Sequence, residues 1–531
     1  MIVTGSGIRA KILAMSWPEL PSAPRRPAPV ALDGDTLTPR GVARIAREGA
    51  EARLTDAGRA RNDAARATLE RLLAAGAPLY GVTTGVGALR EITVAPEDRT
   101  GHALGLLRSH AGGAGPPLRV GLVRAAMATR ANQIAAGGAG VAAELLDALV
   151  GALNAGLSPF TRELGSLGTG DLTNLADIAL CLLGEGEMWR GDELVGADAA
   201  LADAGITPAR LGARDGLAFM SSNAVAIGSA ALIVVDARRL LDAWLSVAAL
   251  SFEASCADPV VLDPRLHSVR HRPGQAAVAA RMRELLAGLE PRRARSAGQR
   301  DDAAPAIQDP YPFRAQPQVD GAVHDALRAL EETVSHELNF AGENALVVDG
   351  GALPNGIPHA APLANAIDGL RTALASSAAL IAARVSTLLD AGLTGLEPFL
   401  ARPGRAGRES GALVLEYTAH AAVAEVRSLV TPVAAQTVSV SRGVESHSSL
   451  APIAARRASE TLDALRVVVA VELVVAVRAL RLAGRAPYGA GNRALWEAAL
   501  DALDPELADR PLAPDVEAAR ELIAAWTVEL G

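Results

Sequence analysis

The sequence predicts a mainly α protein: a long antiparallel central helix bundle with a smaller, loop-rich region ahead of it. Three observations carry this. Hydrophobic residues make up 50% of the 531 residues but aromatics only 3%. The apolar content is therefore Ala, Leu and Val, and Ala and Leu are strong helix formers. The second half holds long apolar-periodic stretches, such as "LANAIDGLRTALASSAALIAARVSTLL" and "SETLDALRVVVAVELVVAVRALRL", which repeat at helical spacing. Strand-like alternation is scarce and no fixed-period repeat is present.

Taken in order, residues 1–37 read as an irregular proline-rich arm, without the apolar core of a secretory leader. Residues 38–213 form the loop-rich region. Helices are expected over "GVARIAREGAEARL" and "GRARNDAARATLERLLAAG", with Gly76 as C-cap. Gly81, Gly85 and Gly87 then break regularity in "YGVTTGVG". "LTNLADIALCLLGEGE" is one short helix. Residues 214–485 are the bundle: two long alanine-rich helices over 214–256, an irregular stretch over 257–320, and long helices from Val323 onward. Residues 486–531 are a helical extension.

Several chemistries are excluded. The net charge of −8 speaks against general nucleic-acid affinity. Cys181 and Cys256 are expected as buried free thiols in a reducing compartment, the cytoplasm. The run "VVVAVELVVAV" contains Glu472, so no membrane span of about 20 apolar residues is read. No CxxC, HExxH, GxSxG or phosphate-binding loop occurs. His267 and His271 are four apart but lack a third ligand, so no metal is expected, and the glycine-rich loops do not fit a nucleotide fingerprint. The Arg-rich "PRRARSAGQR" is read as a solvated loop.

What remains is a pair of tyrosines in glycine- and proline-rich loops. Glycines beside Tyr80 let backbone approach a ligand closely. In "QDPYPFRAQPQVDG", Gln308, Tyr311, Arg314 and Gln316 project polar groups. A tyrosine serves as general base when nearby positive charge or helix N-termini lower its pKa. An arginine beside it is a fork for a carboxylate.

These residues resemble the aromatic amino acid lyases, above all those acting on histidine. The resemblance rests on "YGVTTGVG", "SHAGGAG", "RANQIAAGGAGV", "GSLGTGDL", "DGLAFMSSN", "LDPRLHSVRHRPGQ", "QDPYPFRAQPQVDGA", "STLLDAGLTGLEPFL" and "VESHSSL", in family order over roughly residues 38–450. It implies a fumarase/aspartase-like helical homotetramer, with sites built from loops of several subunits, that works in amino acid catabolism. It also implies a methylidene-imidazolone electrophile formed autocatalytically from an internal Ala-Ser-Gly, with no metal and no nucleotide. Carried onto this sequence, Tyr80 is the base. Arg314 and Asn344 hold the carboxylate. Tyr311 and Gln308 position the electrophile and amine. Glu445 lies near the amine or ring, and His110 faces the aromatic pocket. Ser109-His110 accompanies histidine as substrate in that family.

The sequence also departs from the family. Gly168, Thr169 and Gly170 replace Ala-Ser-Gly, so dehydration gives an ethylidene whose methyl shields the carbon under attack. Ser221 stands where the family has asparagine, with Asn223 two residues on to compensate. "LPNGIPHA" replaces "NFHG", retaining Asn355. Three readings follow. One is an ammonia-lyase on histidine or a related amino acid. The second is an electrophile-free eliminase on a substrate with a better leaving group, such as a trimethylammonium betaine. The third is an aminomutase or a non-catalytic member.

Overall fold

A computed structural model describes residues 27–289 and 308–526. The run 291–300 and most of the proline-rich arm lie outside the described residues. Six helices position the site: α1 (Leu172–Leu182), α2 (Ala224–Ala254), α3 (Gln316–Leu338), α4 (Ala361–Leu389), α5 (Leu413–Leu429) and α6 (Ala451–Leu482).

The N-terminal region is helical with small sheets. Thr38 and Thr55 each accept a hydrogen bond from the backbone N–H three residues on, capping helices Pro39–Arg47 and Asp56–Ala74. The expected helix over "GVARIAREGAEARL" stops short. Gly49 turns the chain at φ +69, and Ala52–Leu54 becomes a strand parallel to Val30–Leu32. Strand Ala114–Pro117 pairs antiparallel with Arg162–Leu164, whose chain leads into Gly165–Gly170.

Two expectations over 214–320 need correction. Residues 214–256 are not two long helices. A short helix, Asp215–Met220, ends at Ser221-Ser222-Asn223, and α2 then runs unbroken for 31 residues. Gly228 lies inside α2 without interrupting it, and a Cβ there would sit 2.7 Å from the Ala125 backbone. The glycine serves close helix packing. The stretch 257–320 is not wholly irregular either. Pro264, Pro273 and Pro312 each occupy the first turn of a helix, at Pro264–Ser268, Pro273–Leu285 and Tyr311–Arg314, where a missing N–H costs nothing.

Helix direction in the bundle follows from side-chain partners. α2, α4 and α6 all start near Gly168–Asp171 and run the same way, because far along them Ser251, Arg384 and Glu472 meet. Arg384 grips both Glu472 oxygens at 2.6 and 3.0 Å, and Ser251 donates to Glu472 at 2.7 Å. α3 and α5 return. Asp320 near the start of α3 meets Ser377 of α4, and Glu416 near the start of α5 meets Ser386. Helices consecutive along the chain are thus antiparallel, while the three longest are parallel. Two helical segments, Asp215–Ala254 and Ala361–Leu389, are long and apolar enough to cross a membrane by composition, more than the sequence reading allowed. Their most apolar windows are 100% and 56% buried inside the protein.

Cys181 is buried; burial pushes its thiol up to about 12, so it stays protonated. Cys256 is only half-buried, at a turn after α2, with Arg485 donating to its sulfur at 3.0 Å. His267 uses both ring nitrogens structurally, on the Val261 carbonyl and the Gln275 amide, each at 3.0 Å. No group of three or more metal-ligating side chains occurs among the described residues.

Candidate active site

The segment Gly168–Asp171 sits where four helix N-termini converge. α1 begins directly after it. The Gly170 N–H donates to Asn223, the N-cap of α2, at 3.0 Å. The Ala360 N–H, ahead of α4, donates to the Gly168 carbonyl at 3.2 Å, and the Leu450 N–H, ahead of α6, donates to the Leu167 carbonyl at 2.8 Å. Each terminus carries about half a positive charge, so the segment lies in a field that favours developing negative charge.

Local backbone explains the glycine at 168. Its φ is +81, and a Cβ there would lie 2.1 Å from the Ser449 oxygen and 2.9 Å from the Ala451 nitrogen. Only glycine fits this conformation. Gly170 is likewise at φ +112. Between them Thr169 donates its hydroxyl to Glu445 at 3.1 Å.

Asp171 is fully buried, and burial pushes its carboxyl up to about 7. The Ala226 and Val225 N–H groups at the start of α2 oppose this by hydrogen bonding to it. Its Oδ1 has no partner among the described residues. The folded protein therefore holds a proton that the unfolded chain releases near pH 4. Stability should fall as pH rises from about 4 to about 7, by about 1.4 kcal/mol per unit, and level off above. Asp171→Asn should flatten that slope; urea midpoints across pH measure it. An unchanged slope would mean that the carboxyl is ionised throughout.

Tyr80 lies in a turn held by Gly81 (φ +69), where a Cβ would meet the Leu217 side chain at 2.1 Å. The Gly87 N–H donates to the Tyr80 oxygen at 2.8 Å and fixes the direction of the phenol. The next residue, Ala88, donates its N–H to Ser441 at 3.0 Å. Val440 in turn bridges Glu445, with its N–H on the Glu445 carbonyl at 2.9 Å. This links the Tyr80 loop to the Glu445–Thr169 contact. Ser221 accepts from the Asn344 N–H at 3.3 Å, and Asn344 accepts from the Asn355 N–H at 3.1 Å. Behind Asn344, Glu343 pairs with Arg130 at 2.9 Å, both fully buried. His110 ends the helix Arg99–His110, four residues before Ala114, the first residue paired to the strand that enters the triad. Its Nδ1 lies 2.8 Å from the Leu106 carbonyl. A carbonyl only accepts, so Nδ1 carries the hydrogen, and in the neutral ring Nε2 is left as an acceptor.

Gln308, Tyr311 and Arg314 do not join this cluster within one chain. Phe313 packs edge-on against Phe252 near the far end of α2, with centroids 5.2 Å apart. That point is roughly 40 Å along the helix from Asn223 at 1.5 Å per residue. There Tyr311, 66% exposed, lies under the Arg314 guanidinium at 4.1 Å, and the Arg314 Nε has no partner among the described residues. Gln308 is exposed. Tyr311 and Arg314 thus lie near the end of α2 opposite to Gly168–Asp171.

Sequence reasoning passed over four residues: His359, His447, Ala360 and Ser449. Ser449 donates to the Gly168 carbonyl at 2.8 Å, and His359 and His447 meet at 2.9 Å. The motif "VESHSSL" carries two of them, His447 and Ser449, beside Glu445.

The long-helix bundle, with a short glycine-rich segment at converging helix N-termini, is the architecture of the helical lyases and aminomutases. Residues 37–501 match the aromatic amino acid lyase family model, and the chain belongs to that family. It is 36% identical over 494 residues to a histidine ammonia-lyase of Symbiobacterium thermophilum, covering 92% of this chain and 96% of the relative. Among solved structures it is similar to the ergothioneine-degrading ergothionase of Treponema denticola (TM-score 0.87, 27% identity, 94% of this chain and 98% of that one). It is also similar to a tyrosine aminomutase of Streptomyces globisporus (TM-score 0.88, 31% identity, 93% and 97%).

Proposed function

We propose that the protein eliminates ammonia from histidine or a related aromatic amino acid, giving the α,β-unsaturated acid. The observation that carries this is the Tyr80–Glu445–Thr169 grouping at the four-helix pole. Tyr80 takes the proton from the carbon next to the ring. Arg314 and Asn344 hold the carboxylate, and Tyr311 and Gln308 orient the amine. His110 offers Nε2 to a donor on the substrate ring, which an imidazole N–H supplies and a phenyl ring does not. The roughly 40 Å between half-sites means that Arg314 and Tyr311 reach Tyr80 only from another copy of the chain. A homotetramer with shared sites satisfies this.

The triad's backbone fits the family's prosthetic group. Glycines at positive φ flank Thr169, and two donors sit on the Gly168 carbonyl. A ring formed from Gly168, Thr169 and Gly170 would supply an electrophilic carbon that captures the amine and makes ammonia a viable leaving group. An intact mass lighter by two waters, together with conversion of histidine to its ultraviolet-absorbing acrylate, is the expected result. A purified protein that shows neither change would sink the reading.

A second reading has its own observation. The Thr169 hydroxyl is already committed to Glu445, and its methyl crowds the carbon that an amine would attack. A substrate carrying trimethylammonium needs no electrophile, and the similarity to an ergothioneine-degrading enzyme fits it. Turnover of the betaine alone, with unshifted mass, would favour this reading.

A further inference from the structure

The Gly168 carbonyl is held by two donors from segments far apart in the chain: the Ala360 N–H at 3.2 Å and the Ser449 hydroxyl at 2.8 Å. The residue before Ala360 is His359, and the residue two before Ser449 is His447. These imidazoles hydrogen-bond to each other, Nε2 of His359 to Nδ1 of His447, at 2.9 Å. The pair therefore ties together the two segments that grip one carbonyl. On the other side, the Gly170 N–H is aimed by Asn223. Asn223 is in turn fixed by donating to the Pro358 carbonyl, on the same segment as His359.

We infer that Ser449 and the Ala360 N–H form an oxyanion hole for closure of the triad, and that His359 and His447 are positioning residues that hold its two donors in place. This rests on the ring-forming reading above. In the step, the Gly170 nitrogen bonds to the Gly168 carbonyl carbon, and its proton passes to the carbonyl oxygen. That hydroxyl leaves as water with the Thr169 amide hydrogen. The Thr169 Cα hydrogen and side-chain hydroxyl leave as a second water. No oxidant or co-reactant is consumed. Negative charge develops on the Gly168 oxygen as the carbon–nitrogen bond forms, and both donors already point at that atom. Such donors are worth about 100-fold or more in rate each.

The test follows intact mass and near-ultraviolet absorbance of the full chain at timed points after induction, with far-ultraviolet dichroism as the folding control. Ser449→Ala should lose its two waters about 100-fold more slowly than wild type. Ser449→Thr, which keeps the hydroxyl, should recover the rate. His447→Ala should slow closure, and His447→Asn, which places an amide near the lost Nδ1, should restore it. A Ser449→Ala chain dehydrated as fast as wild type overturns the inference, and so does a Ser449→Thr chain as slow as Ser449→Ala. If Ser449→Ala lacks the helical signal, the His447 pair decides, and equal rates for Ala and Asn overturn it. A wild-type chain that never loses two waters overturns the ring-forming reading and this one together, whereas variants that dehydrate at the wild-type rate overturn this one alone.

Discussion

Tyr80→Phe is expected to reduce kcat for elimination by about 100- to 10,000-fold, the usual worth of a positioned general base, while leaving KM within a few-fold. The hydroxyl accepts one hydrogen bond, from the Gly87 N–H, and the ring is partly buried against the core. Phenylalanine keeps that packing, and the cost to stability is about that of one hydrogen bond, about 1 kcal/mol. A thermal melt close to wild type alongside lost turnover separates chemistry from folding. Full turnover by Tyr80→Phe would remove Tyr80 from the role of base in both the ammonia and the betaine readings.

The second large effect is complementation. Arg314→Ala removes a charged clamp and should lower kcat/KM by roughly 10- to 100-fold. Mixed one-to-one with Tyr80→Phe by co-expression, it should return activity above either parent. Each site would draw Tyr80 from one chain and Arg314 from another. In a random mixture, roughly a quarter of sites then receive both wild-type groups. The measurement is the specific activity of co-purified, differently tagged chains. Activity no higher than the average of the parents would mean that the two poles do not meet between copies, and the shared-site reading would fall.

Why Tyr311 and Arg314 lie at the pole opposite to Gly168 follows from helix direction. The chain leaves the Gly168 pole at Asn223, travels the length of α2, and reaches Tyr311 and Arg314 before any other long helix brings it back. α3 then returns it to Asn344 and Ala360, α4 leaves again, and α5 returns it to Glu445 and Ser449. Of the bundle helices, α2 alone separates Tyr80 from Arg314, whereas α2, α3, α4 and α5 separate Tyr80 from Glu445. The reading over 214–256 split α2 in two, which would have placed Arg314 at the wrong end.

The sequence by itself determined the helical class, the long bundle segments, the glycine-bearing Tyr80 loop and the motifs that mark the family. These are local properties: side-chain periodicity, capping residues and backbone freedom are set by neighbours a few positions away. Only the tertiary structure decided that four helix starts point at one short segment and that Gly168 is required by the Ser449 hydroxyl across from it. It also decided that Asp171 is sealed from water and that the guanidinium lies at the far pole. Those depend on contacts between residues separated by tens to hundreds of positions, where the direction and burial of each helix, absent from any local window, set the distances and the field.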